Sequence, residues 1–256
     1  MNHFFGTVMA AAAMSLVPGY AVASEKHSEG QPIDARVVKV KLGGMINLKL
    51  KQSPEATLTI SGNQREVRQV SVIQNGDTLA IDTEKTGWNF GKGDRHEVRA
   101  ELTLPYLNEM VSNGVGATDI QGFTGNDVSL ALEGAGLVNV NSNYRNVVAR
   151  LGGIGSMTLH TENSDQVDLK LCGAGSITVN GSSKLLRANL GGVGSLDARK
   201  LQADAVELDM SGLGGATVHA KASANLKLSG LGSATVYGKQ VKRMAEARGL
   251  GSVSWH

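Results

Sequence analysis

The sequence predicts an all-β fold, a β-solenoid of stacked parallel coils, and three observations carry that prediction. A Gly-x-Gly tripeptide recurs with first glycines at Gly114, Gly134, Gly153, Gly173, Gly192, Gly212, Gly230 and Gly249, so successive copies stand 20, 19, 20, 19, 20, 18 and 19 residues apart. Eight copies at nearly one period mean an array of structural units. On both sides of each tripeptide, apolar residues alternate with polar ones at period two, the signature of strands. Between the strands run polar returns such as "HTENSDQ" and "NGSSK".

The alternation gives two inward rows. After the second glycine they include Val138 and Val140, Met157 and Leu159, Ile177 and Val179, Leu196 and Ala198, Ala216 and Val218, Ala234 and Val236, and Val253 and Trp255. Before the first glycine they run through Val128, Leu130 and Leu132, and in the same way through Val167, Leu169 and Leu171 up to Ala224, Leu226 and Leu228. Stacked one strand spacing apart, such units bury an aliphatic column that no single unit could bury alone. The glycines suit a corner where a side chain would collide or φ must be positive. The residue between them is always aliphatic (Val115, Ala135, Ile154, Ala174, Val193, Leu213, Leu231, Leu250) and is expected to point inward. A helical reading fails, because glycine recurs too often and the period is two.

Residues 1–23 read as a signal peptide: "FFGTVMAAAAMSLVPGY" is apolar and uncharged, and "AVA" at Ala21 to Ala23 is a small-x-small cleavage pattern. Cleavage after Ala23 places the mature protein in the periplasm or outside the cell. No later stretch reads as a membrane-spanning helix, and the single cysteine, Cys172, allows neither a lipid anchor at the processed end nor an internal disulfide. Residues 24–33 are a polar linker. From 34 to 256 the chain reads as one domain, with irregular coils and a cap over 34–110 and regular repeats over 111–256. In the irregular part "RVVKVKLGGMINLKLKQ", "ATLTISG" and "HEVRAELTLP" alternate cleanly, and Asn75-Gly76-Asp77 marks a hairpin or corner. At the other end Trp255 is placed to shield the last core layer.

Glycine reaches 33 residues while 41% of the chain is hydrophobic, so the glycines serve a packed fold rather than a flexible linker. The formal charge of +2 makes no electrostatic case for nucleic acid. A dinucleotide fingerprint needs a third glycine and a following helix, which "GIGSMT" and "GAGSIT" lack. A calcium roll needs an aspartate where Met157 and Leu196 stand. No cofactor is expected, and the glycine motif is scaffold.

The run "GGMINLKLKQSPEATLTISGN", the "NGDTLAIDT" turn, "EVRAELTLPYLNEMVSNGVG" and the Gly-x-Gly repeats resemble the head GIN domain family of auto-transporter adhesins, over roughly Val37 to Trp255. That resemblance implies a right-handed parallel β-helix, an exported location and no established catalytic activity.

Function is sought on outward positions. Three residues after the second glycine stand Asp119, Asn139, Thr158, Thr178, Asp197, Thr217, Thr235 and Ser254; one residue after it stand Ser156, Ser176, Ser195, Ser233 and Ser252. This hydroxyl-rich face suits sugar hydroxyls, and Ser and Thr also simply suit exposed strands. A second outward face carries Asp168, Arg187 and Glu207 in one column and Arg150, Lys170, Asn189, Asp209, Lys227 and Glu246 in the next. Alternating signs read as pairing between coils, and a polysaccharide lyase-like enzyme would draw on Asp168, Arg187 and Lys170. His96, His160 and His219 read as isolated, so no metal site is expected. The segment "EKTGWNFGKGDRHE" holds Trp88 and Phe90, which read either as contacts for a glycan or protein partner or as a cap. A non-enzymatic, adhesin-like binding or envelope-associated module, with a glycan or envelope component as ligand, is the leading expectation. A structural module that self-associates end to end is a further reading.

Overall fold

In the computed structural model, residues 27–83, 98–248 and 250–256 are described, and they form a β-solenoid of stacked parallel coils. The early strands are β1 (His27–Pro32), β2 (Lys39–Leu42), β3 (Ile46–Gln52), β4 (Thr57–Gly62), β5 (Val70–Asn75), β6 (Thr78–Thr83), β7 (Val98–Leu104) and β8 (Glu109–Ser112). A short helix, α1 (Gln64–Val67), starts where the Asn63 side chain accepts the Arg65 N–H. The regular coils are β9 (Val115–Leu132), β10 (Ala135–Leu151), β11 (Ile154–Leu171), β12 (Ala174–Leu190), β13 (Val193–Met210) and β14 (Leu213–Leu228). Three shorter strands follow: β15 (Leu231–Tyr237), β16 (Lys242–Ala247) and β17 (Ser252–Trp255).

Each long strand runs from one Gly-x-Gly corner to the next and bends midway at the polar return. Its first half pairs parallel with the first half of the neighbouring coil, and its second half with the second: Ala135 faces Val115 and Ile154, and Leu151 faces Leu132 and Leu171. The coil thus has two sides, one following the corner and one preceding it. Both predicted inward rows are buried, from Val128, Leu130 and Leu132 to Ala224, Leu226 and Leu228 on one side and from Val138 to Val236 on the other. Each such aliphatic side chain contributes about 1.5–3 kcal/mol against exposure, and no coil has a partner for them other than its neighbours.

The corner overturns one expectation: the residue between the glycines points outward. Ile154 is 67% exposed, Leu213 48% and Leu250 85%, and Val115, Val193 and Leu231 are equally open. The reason is parity. Leu151 and Met157 face the core, so Gly153 and Gly155 occupy the two inward positions between them, and Ile154 is left on the outer side. A Cβ on Gly153 would collide with the Gly134 carbonyl one coil away. The hydrogen-bond ladder continues around the bend, with Ile154 N–H donating to Gly134 at 2.9 Å and Val193 N–H to Gly173 at 3.0 Å. Gly249 lies outside the described residues.

The first part of the chain inserts a coil out of order. The β2–β3 coil lies between β6–β7 and β8–β9, since β2 pairs with both β6 and β8, and β3 with both β7 and β9. Its corner, Gly43-Gly44-Met45, stacks on Gly114 and Val115, so Met45 extends the outward aliphatic row. Beyond it β4 runs antiparallel to β7, and β5 antiparallel to β6 through the turn at Gly76, whose φ is +59°. The stretch 27–32, read as linker, forms β1 and pairs antiparallel with β4. At the far end Trp255 packs partly buried against the core, and the Arg243 guanidinium lies 5.3 Å from its ring centroid.

Candidate functional site

The face that follows the corner carries two adjacent outward columns. The first holds Thr158, Thr178, Asp197, Thr217, Thr235 and Ser254, each opposite the next across one coil spacing. All four predicted threonines therefore stand in one line, half-buried, with Asp197 between Thr178 and Thr217. Beside it, nearer the corner, run Ser156, Ser176, Ser195, Gly215 and Ser233.

The second column lies two residues further along each strand and was not anticipated. It reads Asn141, His160 and Asn180 in register, then His219 opposite Tyr237, which stacks on His256 with ring centroids 5.3 Å apart and planes at 23°. Arg199, at the equivalent sequence offset, places its guanidinium 5.5 Å from the Tyr237 ring centroid, while its N–H donates to the Asp197 carboxylate at 3.1 Å. His160 and His219 thus share an outward offset of five from the second glycine but stand three coils apart, with Asn180 and Arg199 at that offset on the coils between. His160 Nε2 stands 3.6 Å from Glu162 Oε1, and His219 Nδ1 is buried with no hydrogen-bond partner. Threonine hydroxyls and asparagine amides offer donors and acceptors, and Tyr237 and the imidazoles add flat apolar surface.

The charged face precedes the corner. Asp168, Arg187 and Glu207 stack in register, as do Arg150, Lys170, Asn189, Asp209 and Lys227. Arg187 donates to Glu207 at 2.7 Å, and that carboxylate holds the guanidinium pKa above its ordinary value. Asp168 accepts instead from Gln166 at 2.7 Å. Lys184 pairs with Asp165 at 2.6 Å and keeps its carboxyl below the usual range. The depression over Asp168, Lys170, Arg187, Asn189 and Glu207 is open and shallow, about 610 Å³. Among the described residues no group of His, Cys, Asp or Glu is arranged to hold a metal ion, and no helix is long and apolar enough to cross a membrane. Trp88 and Phe90 lie outside the described residues.

Fold and faces together define a β-solenoid that offers its chemistry on flat outer sides. The chain belongs to the head GIN domain family: the family model described as "putative auto-transporter adhesin, head GIN domain" matches residues 38–239. Solved structures agree on the fold. A "putative adhesin" from Bacteroides fragilis is 23% identical, with 91% of this chain and 98% of that one covered and a TM-score of 0.66. Another "putative adhesin", from Parabacteroides distasonis, is 19% identical over the same shares with a TM-score of 0.78. A "putative lipid binding protein" from Parabacteroides distasonis is 18% identical, covers 90% of this chain and 96% of that one, and has a TM-score of 0.68. No curated protein matches the chain.

Proposed function

We propose that this chain is an exported, non-enzymatic, adhesin-like module that binds a glycan of the cell envelope along the face following the Gly-x-Gly corner. One observation carries the reading: beside the threonine column stand Asn141, His160 and Asn180 in register and, beyond Arg199, His219 opposite Tyr237. A chain of sugars presents hydroxyls and C–H faces in alternation along its length. Repeated hydroxyl and amide groups answer the former, and Tyr237 with His256 answers the latter. Membership of a family described as adhesins favours a binding role and an extracellular or envelope location. Residues 1–23 would direct export, a step that N-terminal sequencing of the released protein checks by a first residue at Ser24.

The enzyme reading is weaker on this geometry, because Arg187 is paired with Glu207 and the residues share only an open depression, although Asp168 Oδ1 is buried with no hydrogen-bond partner. A glycan array probed with residues 24–256 tests the binding proposal. Selective binding that is lost in a His219→Ala, Tyr237→Ala variant supports it, whereas binding lost only in Trp88→Ala, Phe90→Ala transfers the site to that segment. An array with no selective binding overturns the carbohydrate reading.

A further inference from the structure

The outward residues of the corners form a continuous aliphatic ridge: Met45, Val115, Ala135, Ile154, Ala174, Val193, Leu213, Leu231 and Leu250, one per coil. Exposed aliphatics scattered singly need no explanation, but a row of them at one strand spacing does. From Gly152 to Ser233 the outward positions flanking the ridge carry no charge: Gly152, Cys172, Gly191, Ser211 and Ser229 on one side, Ser156, Ser176, Ser195, Gly215 and Ser233 on the other. A surface that lies on a membrane usually surrounds its apolar strip with Lys and Arg. Here the flanking positions hold neither, and the guanidinium that reaches in, that of Arg150 at 3.6 Å from Cys172 Sγ, is paired with Glu133.

We propose that the ridge pairs with the ridge of a second copy of this chain, the two solenoids running antiparallel. Charge selects the direction. In the flank preceding the ridge, Glu133 stands at one end and Arg248 at the other, both exposed enough to reach a partner, with Arg150 and Glu246 as their present neighbours. A two-fold axis across Val193 brings Glu133 of each copy opposite Arg248 of the other. The same register sets Ala135 opposite Leu250 and Ala174 opposite Leu213, small against large, with Ile154 opposite Leu231 and Val193 at the axis. A parallel pair would instead set the preceding flank of one copy against the following flank of the other, with Glu133 opposite the exposed Leu137 and no carboxylate opposite Arg248.

From Ala135 to Leu250 the ridge covers six coil spacings, about 29 Å. A strip of that length belongs at the low end of specific interfaces, which begin near about 1,000 Å² in total. The expected complex is therefore reversible and concentration-dependent. It leaves the threonine and histidine columns of both copies open, so the pairing stands independently of what those columns bind.

Sedimentation velocity on the purified protein, from about 1 to about 200 µM, reads the equilibrium directly. A monomer–dimer transition is expected, and Leu213→Lys, Leu231→Lys, both at exposed positions, should weaken it at least tenfold with an unchanged circular dichroism spectrum. Glu133→Arg should also weaken it, and Glu133→Arg, Arg248→Glu should restore it. A protein that stays monomeric at the highest concentration, or a dimer indifferent to the ridge lysines, overturns the proposal. Failure of the charge swap to restore association overturns the antiparallel register. Ridge-dependent binding of the monomer to neutral phosphatidylcholine vesicles would assign the ridge to lipid instead.

Discussion

Gly155 stacks on Gly136 with φ of +149°, so that a Cβ on Gly155 would meet the Gly136 carbonyl oxygen one coil away. Both the left-handed backbone and the close approach exclude a side chain there. Gly155→Ala is expected to cost at least about 2 kcal/mol, measured by urea denaturation. Gly215→Ala, in an outward column with only ordinary contacts nearby, should stay within about 0.5 kcal/mol. Equal effects from the two would contradict the corner geometry.

Tyr144 is buried and donates its hydroxyl to the Leu107 carbonyl at 2.6 Å, tying the β10 return to the loop before β8. Tyr144→Phe leaves that carbonyl unpaired and should cost about 1–3 kcal/mol.

The same burial raises the Tyr144 pKa well above its ordinary value. An acid whose folded pKa is raised stays protonated in the fold while the unfolded chain ionises near pH 10. Its contribution to stability is complete below about pH 10 and is lost as pH climbs toward the folded value. Stability measured from pH 8 to 11.5 should fall in the wild type and fall less steeply in Tyr144→Phe. Parallel curves would contradict the assignment.

Trp255 and Arg243 close the last described coil. Because each coil touches only its neighbours, loss of that cover should be felt locally. In Trp255→Ala, hydrogen exchange is expected to speed up in residues 231–247 and to remain unchanged in residues 147–171. Uniform acceleration along the chain would show that the solenoid unfolds as one unit.

The sequence exposes most of this fold because period two and a 19–20-residue repeat leave few alternatives. Its burial rows match the structure from Val128 to Val236, with Val253 and Trp255 partly buried at the end, since alternation fixes which side chains meet the core. The ridge departs from expectation for a physical reason: aliphatic identity argues for the interior, whereas counting in twos from Leu151 to Met157 puts Ile154 outside. The second site column was equally countable. His160, His219, Tyr237 and His256 share one offset from their glycines, but no single residue type runs along it to mark the column. The order of the first coils is not legible, because inserting β2–β3 between β6–β7 and β8–β9 depends on pairing across 39 to 70 residues, where alternation carries no information.

Hydroxyl-radical footprinting, with and without a glycan selected from the array, tests the binding face most directly. Oxidation of His160, His219 and Tyr237 should fall when the glycan is present, while that of Met244, exposed on the charged face, stays the same. Protection of Met244 with His160, His219 and Tyr237 unchanged would place the ligand on the opposite side of the solenoid and contradict the proposed site.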